Sequence, residues 1–189
     1  MYNPSDFKTA LQTLKNGGII LYPTDTIWGL GCDATNEEAV KRIYEIKKRS
    51  NKKSMLVLLN NPGEIQKYIT NMPDIAWDLI ELSEKPLTII FSNAINLAPN
   101  LINEDGSLGI RITQDKFCKK LAEQLRKPIV STSANISSEQ SPQTFSQISN
   151  SIINSVDYVV KYRQDDANEN IPSSIIKLEP NNEVRIIRE

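Results

Sequence analysis

Three short stretches bring together side chains able to do chemistry. The run Tyr22-Pro23-Thr24-Asp25-Thr26-Ile27-Trp28-Gly29-Leu30-Gly31 sets hydroxyls and small residues at a strand–turn–strand corner. Pro, Asp and Gly are ordinary turn residues, so this spacing suits a tight β-connection as well as the polar wall of a pocket. From Lys41 to Lys53 there are seven cations (Lys41, Arg42, Lys47, Lys48, Arg49, Lys52, Lys53) against one anion, Glu45. The third stretch, Ser131-Thr132-Ser133-Ala134-Asn135, places four hydrogen-bonding side chains at the end of an apolar run. Hydroxyls and an amide there can hold phosphate or ribose, because open α/β sheets bind ligands at the carboxyl ends of their strands. The same residues would also serve as a helix cap. A fourth feature is Arg111, alone in an apolar strand. Burying it unpaired would cost several kcal/mol, so it needs an anion from the protein or from a ligand.

The chain contains no histidine. Ser-His-Asp and Cys-His nucleophile systems are therefore excluded, as is any imidazole base or zinc ligand. Cys32 and Cys118 are 86 positions apart, which gives neither a CxxC motif nor a thiolate cage and fits small buried hydrophobes in a reducing compartment. No GxxxxGK[ST] run occurs, and no GxGxxG follows a strand. Catalysis would have to run on cations, carboxylates, hydroxyls, amides or a bound metal.

Charge is unevenly spread. The 189 residues hold 22 basic and 23 acidic side chains, yet without residues 41–53 the balance is 15 to 22, or −7. Positive charge concentrated in one short segment suits a compact polyanion better than a long nucleic-acid track. Helix-dipole complementarity accounts for cations at the end of a helix capped by Asn36, but not for those beyond it, and on charge alone a solvated face fits the run as well.

The elements that must position these groups alternate. Helical patterns are expected at Asp6–Lys15, after Asn36, and at Glu64–Ile69, Asp74–Leu82 and Lys116–Arg126. Strands are expected at Ile19–Tyr22, Ile27–Cys32, Met55–Leu59, Leu87–Phe91, Gly109–Thr113, Pro128–Ser131, Val156–Val160, Ser174–Leu178 and Val184–Ile187. Interleaved strands and helices predict an α/β fold. With 39% hydrophobic residues and no apolar run near the ~20 residues of a membrane span, one domain over residues 1–189, soluble and cytoplasmic, is the expectation.

Taken together and in this order, the segments resemble the YrdC-like family in its single-domain form. That family shows a Pro-Thr-Asp/Glu-Thr-x-x-Gly-Leu-Gly corner, a Lys-x-Arg loop with a further Lys, and a Ser-Thr-Ser-Ala-Asn segment. Here they stand as Pro23–Gly31, Lys47-Lys48-Arg49 with Lys53, and Ser131–Asn135. There are departures. The family's Trp-Pro-Gly-Pro-x-Thr reads Ser83-Glu84-Lys85-Pro86-Leu87-Thr88, Ser138 replaces a Gly, and a Pro-Ser-Thr motif becomes Pro172-Ser173-Ser174.

The resemblance implies a twisted mixed β-sheet flanked by helices around a central cationic cavity. It further implies synthesis of threonylcarbamoyl-adenylate from L-threonine, bicarbonate and ATP, with Mg2+. Lys47 and Arg49 would be catalytic. Lys47, Arg49, Lys53, Ser131, Ser133, Asn135 and Ser173 would bind ATP, and Thr24, Thr26, Arg111 and Thr113 would bind threonine. Expected partners are weakly bound RNA or tRNA and the downstream threonylcarbamoyl-transferase proteins that take the product; no membrane is expected. The competing expectation is an inactive paralogue acting as an RNA-binding module.

Overall fold

The structure, a computed structural model, describes residues 2–49, 55–167 and 171–189. Asn3 accepts a hydrogen bond from the Ser5 amide and Pro4 opens the helix, so α1 (Pro4–Lys15) begins where local chemistry dictates. After β1 (Ile20–Tyr22) and β2 (Gly29–Gly31), Asn36 caps α2 (Glu37–Ile46) through the Ala39 amide. β3 (Leu56–Leu59) follows, then a 3-10 helix over Pro62–Lys67. An α-helix was expected near there; with Asn61 capping the Gly63 amide and Pro62-Gly63 at its start, the stretch closes i→i+3 turns instead. The remaining elements are α3 (Ile75–Glu81), β4 (Leu87–Phe91), β5 (Leu108–Ile112), α4 (Lys116–Leu125), β6 (Ile129–Ser133), α5 (Asn150–Ile153), β7 (Tyr158–Val159), β8 (Ser174–Leu178) and β9 (Val184–Arg188). The short α5 lies in a Ser/Asn-rich stretch that shows no helical periodicity.

Among the described residues, nine strands join one sheet in the order β7-β1-β2-β6-β3-β5-β4-β8-β9. Three neighbouring pairs are parallel (β7/β1, β3/β5 and β4/β8) and the rest antiparallel, so the sheet is mixed. Alternation along the strands divides the core. Val57, Leu59 and Ile110 pack in the larger apolar cluster with α2, whereas Leu58 faces Phe7, Leu14, Phe117 and Leu121 of α1 and α4. The expected α/β sheet flanked by helices is therefore the fold found. Among the described residues no helix is long and apolar enough to cross a membrane.

One irregularity bears on the site. β8 and β9 pair Leu178 with Val184, Lys177 with Arg185 and Ile176 with Ile186, but Ile175 then meets Arg188. Ile187 is an extra residue in β9, a bulge. In an unbroken ladder Ile187 would sit opposite Ile175, and Arg188 would point to the other face.

Candidate active site

Register assembles the site on one face of the sheet. Ser131 lies opposite Leu56, Ser133 opposite Gly29, and Thr88 opposite both Arg111 and Ile175. Because side chains alternate, Leu56, Arg111, Ser131, Ser133 and Ile175 open onto a shared cavity of about 300 Å3. Its polar wall carries Arg49, Arg111 and Arg188 together with the hydroxyls of Thr26, Ser131, Thr132, Ser133, Ser141 and Ser173.

Each arginine arrives by a different device. At the end of α2, the Lys48 amide bonds the Glu45 carbonyl and the Arg49 amide the Tyr44 carbonyl. This Schellman turn requires a left-handed residue, and Lys48 takes that role at φ +49°. The turn sends Arg49 toward β6, where its Nη1 donates to Thr132 Oγ1 at 3.4 Å. Arg188 is aimed by the β9 bulge, and its Nε and Nη2 both donate to the Ser173 carbonyl, at 3.0 and 2.7 Å.

Arg111, only 3% exposed, finds its anion within the protein: its Nη2 lies 3.1 Å from Asp25 Oδ1. The other Asp25 oxygen accepts from Thr113 Oγ1 and the Gln114 amide. The corner that holds Asp25 is braced internally. Thr24 donates its hydroxyl to the Ile27 carbonyl and accepts from the Thr26 amide, while the Cys118 thiol donates to the Pro23 carbonyl. Gly31 is explained by its neighbours: a Cβ there would come within 2.6 Å of the Tyr22 ring and 3.0 Å of the Val130 carbonyl.

The electrostatics favour an incoming anion. Burial pulls the Arg49 guanidinium below its ordinary value, and burial followed by the nearby charge of Arg111 does the same to Arg188. Cations held against a desolvation penalty gain when a polyanion enters.

The cavity thus gathers Thr26, Arg49, Arg111, Ser131, Ser133 and Ser173 of the residues expected from sequence. Four others stand behind its wall. Thr24 and Thr113 brace the corner and Asp25, as described. Asn135 donates its side-chain amide to the Ile136 and Glu139 carbonyls. Lys47 is 1% exposed, with Nζ on the carbonyls of Ser133 and Asn135. Lys53 lies outside the described residues. Sequence reasoning missed Arg188, Thr132 and Ser141 as wall residues and Asp25 as the partner of Arg111. Thr132 and Asp25 lay inside quoted segments, but no local signal marks Arg188.

Two departures from the family pattern also find physical places. Ser138 sits at φ +76°, a left-handed position that suits the Gly it replaces. Ser83–Lys85 border a separate small cleft with Ile110 and Ile112, which alternate with Arg111 and so face the other side of the sheet. Thr88, the retained end of that motif, touches the site by sharing a hydrogen bond with Ser173 Oγ at 2.8 Å.

Comparison with known proteins agrees with this architecture. A family model described as telomere recombination, that of Sua5, YciO and YrdC, matches residues 12–189. A putative threonylcarbamoyl-AMP synthase of Methanocaldococcus jannaschii is 34% identical, over 94% of this chain and 84% of its own length. A threonylcarbamoyl-AMP synthase of Pseudoalteromonas translucida is 29% identical over 85% and 87%. Among solved structures, E. coli YciO superposes with a TM-score of 0.84 at 22% identity, covering 100% of this chain and 91% of that one. P. abyssi Sua5 complexed with L-threonine gives 0.81 at 24%, covering 91% of this chain but only 50% of the other, so the chain spans about half of Sua5's length. With motif segments, sheet and family model in accord over nearly its whole length, the chain belongs to the Sua5/YciO/YrdC family.

Proposed function

We propose that the chain is an L-threonylcarbamoyladenylate synthase, a nucleotidyltransferase making threonylcarbamoyl-AMP and pyrophosphate from L-threonine, bicarbonate and ATP. One observation carries the reading: three arginines and a row of hydroxyls from distant parts of the chain converge on one open cavity. The names of the two synthase relatives and the threonine bound by Sua5 support it. At about 300 Å3 the cavity is at the small end of ligand sites. It suits the reacting groups, with the nucleoside extending to the open side.

The absence of histidine suits this chemistry. The threonine amine adds to the carbon of CO2 and loses a proton to give a carbamate; starting from bicarbonate, one oxygen leaves as water in the same conversion. A carbamate oxygen then attacks the α-phosphorus of ATP, the α–β bridging bond breaks, and pyrophosphate departs as a stable anion. Alignment and neutralisation of spreading negative charge dominate such a step. Arg49 and Arg188 would take phosphate oxygens with their planar forks, and Lys53 would add a further positive charge. Ser131, Ser133 and Ser173 would hold the α-phosphate and ribose. Thr26 and Arg111 would face threonine, with Asp25 keeping Arg111 oriented and partly neutralised.

Mg2+ commonly accompanies ATP, but the described residues do not form a cage for it. Among the described residues no group of three or more His, Cys, Asp or Glu could hold a metal, and Asp25 is engaged by Arg111. No step above is routed through a metal. The RNA-binding reading is not favoured, since the cavity wall carries a single aromatic, Trp28, where RNA readers use stacking platforms. The product is a mixed anhydride, suited to carbamoyl transfer onto a tRNA adenosine by downstream proteins. The test is pyrophosphate release by purified protein with ATP, threonine and bicarbonate. Release only when all three are present is expected; release independent of threonine would refute the reading.

A further inference from the structure

Lys47 and Arg49 lie two residues apart, yet they meet entirely different surroundings. The Lys47 side chain runs inward, and its Nζ sits 2.5 Å from the Ser133 carbonyl and 2.7 Å from that of Asn135. The Lys47 backbone carbonyl accepts the Ser137 amide at 2.8 Å. Three bonds from one residue therefore tie the end of α2, which launches Arg49, to the end of β6 at Ser133 and to the loop after it, which leads on to Ser141. Asn135 completes the loop by closing onto Ile136 and Glu139.

We propose that Lys47 is a positioning residue rather than a phosphate ligand: it clamps two walls of the cavity together, so that the Arg49 fork and the Ser133 hydroxyl face one another at fixed spacing. Protonated, Nζ carries three N–H donors; neutral, it keeps two, enough for both carbonyls. Lysine suits the task because its long apolar stem fills the interior while the tip reaches both the Ser133 carbonyl, which also accepts the Asn135 amide, and the buried Asn135 carbonyl, which needs a donor. The consequence for catalysis rests on the nucleotide site proposed above; the clamp itself does not, and the two are separable by experiment.

The test compares Lys47→Met with wild type by amide hydrogen exchange and ATP binding, without threonine and well below the melting midpoint. The clamp predicts exchange at least ~10-fold faster over residues 133–139 in the nucleotide-free variant, with α1 unchanged. ATP affinity should fall ~10-fold or more, because the two walls lose their mutual alignment. Weaker ATP binding with unchanged exchange would make Lys47 a direct ligand and overturn the proposal. Unchanged exchange and affinity would overturn it equally. Should Lys47→Met fail to fold, the wild-type protein decides through the 15N resonance of Lys47 Nζ during an ATP titration. A clamp holds its shift while the Arg49 side-chain signal moves; a phosphate ligand moves with Arg49. Absence of threonine-dependent pyrophosphate release by the wild-type protein, with exchange faster in Lys47→Met, would refute the synthase reading and leave the clamp standing.

Discussion

The two sides of the cavity are built on opposite principles. Around α2 and β6, sequence-local devices do the positioning: an Asn36 cap, a Schellman turn at Lys48, and a run of hydroxyls ending a strand. Around β8 and β9, nothing local identifies the guanidinium that matters. Arg188 reaches the cavity because Ile187 is one residue too many for the ladder, so its direction is set by pairing with a strand ten residues away. The difference teaches that a motif reports groups aimed by their own neighbours, and is silent about groups aimed by register.

The largest expected effect is on the local side. Arg49→Ala should lose about 2–4 kcal/mol of transition-state stabilisation, read as kcat/KM for pyrophosphate formation, with little change in thermal midpoint. An activity within threefold of wild type would remove Arg49 from the phosphate site. On the register side, exchanging the two residues in Ile187→Arg/Arg188→Ile keeps the composition but moves the fork by one place. Because the bulge turns position 187 away from the cavity, the double variant should be as impaired as Arg188→Ala, on the order of 10–100-fold. Recovery of activity would mean that the strand pairs without a bulge. Deleting Ile187 should instead regularise the ladder with Arg188 still opposite Ile175, and preserve ATP affinity.

How much of this was legible follows the same divide. Strand Leu87–Phe91 was legible as an apolar run and the helix expected over Lys116–Arg126 ends one residue earlier, at Leu125, while α2 stood out because Asn36 opens it. Arg49, Ser131 and Ser133 were legible as wall residues, whereas Lys47 and Asn135 sat in the right motif but turned behind the wall. Spacing marks a residue's neighbourhood, yet rotamer and burial decide which way it faces. Arg111 was legible as needing an anion, but its choice of Asp25 over a ligand depends on a corner 86 residues away folding against β5. Arg188 carried no signal at all.

Lys47 also sharpens the contrast through pH. Burial, then the charge of Arg49, pushes its amine down to about 7, against about 10.4 in an unfolded chain. Between those values the unfolded state binds more protons, so stability should rise with pH through this window. Lysine accordingly costs the folded state most below pH 7. Denaturant unfolding at pH 7 and 9 should show a gain on the order of 2 kcal/mol, which Lys47→Met abolishes if the variant folds. An identical rise in the variant would assign the effect elsewhere.

The smallest expected change concerns the loop behind β6. Ser138 at φ +76° carries left-handed strain, so Ser138→Gly should raise stability by about 0.5–1 kcal/mol. A lower midpoint would mean that the hydroxyl, not the backbone, decides that position.

The claim on which all of this turns is that both sides grip one nucleotide. A crystal structure of the protein with ATP and L-threonine tests it most directly. The account predicts phosphate oxygens within hydrogen-bonding distance of both Arg49 and Arg188, with the Lys47 Nζ still on its two carbonyls. A triphosphate bound elsewhere, or touching Lys47 while Arg188 stays on Ser173 alone, would contradict it.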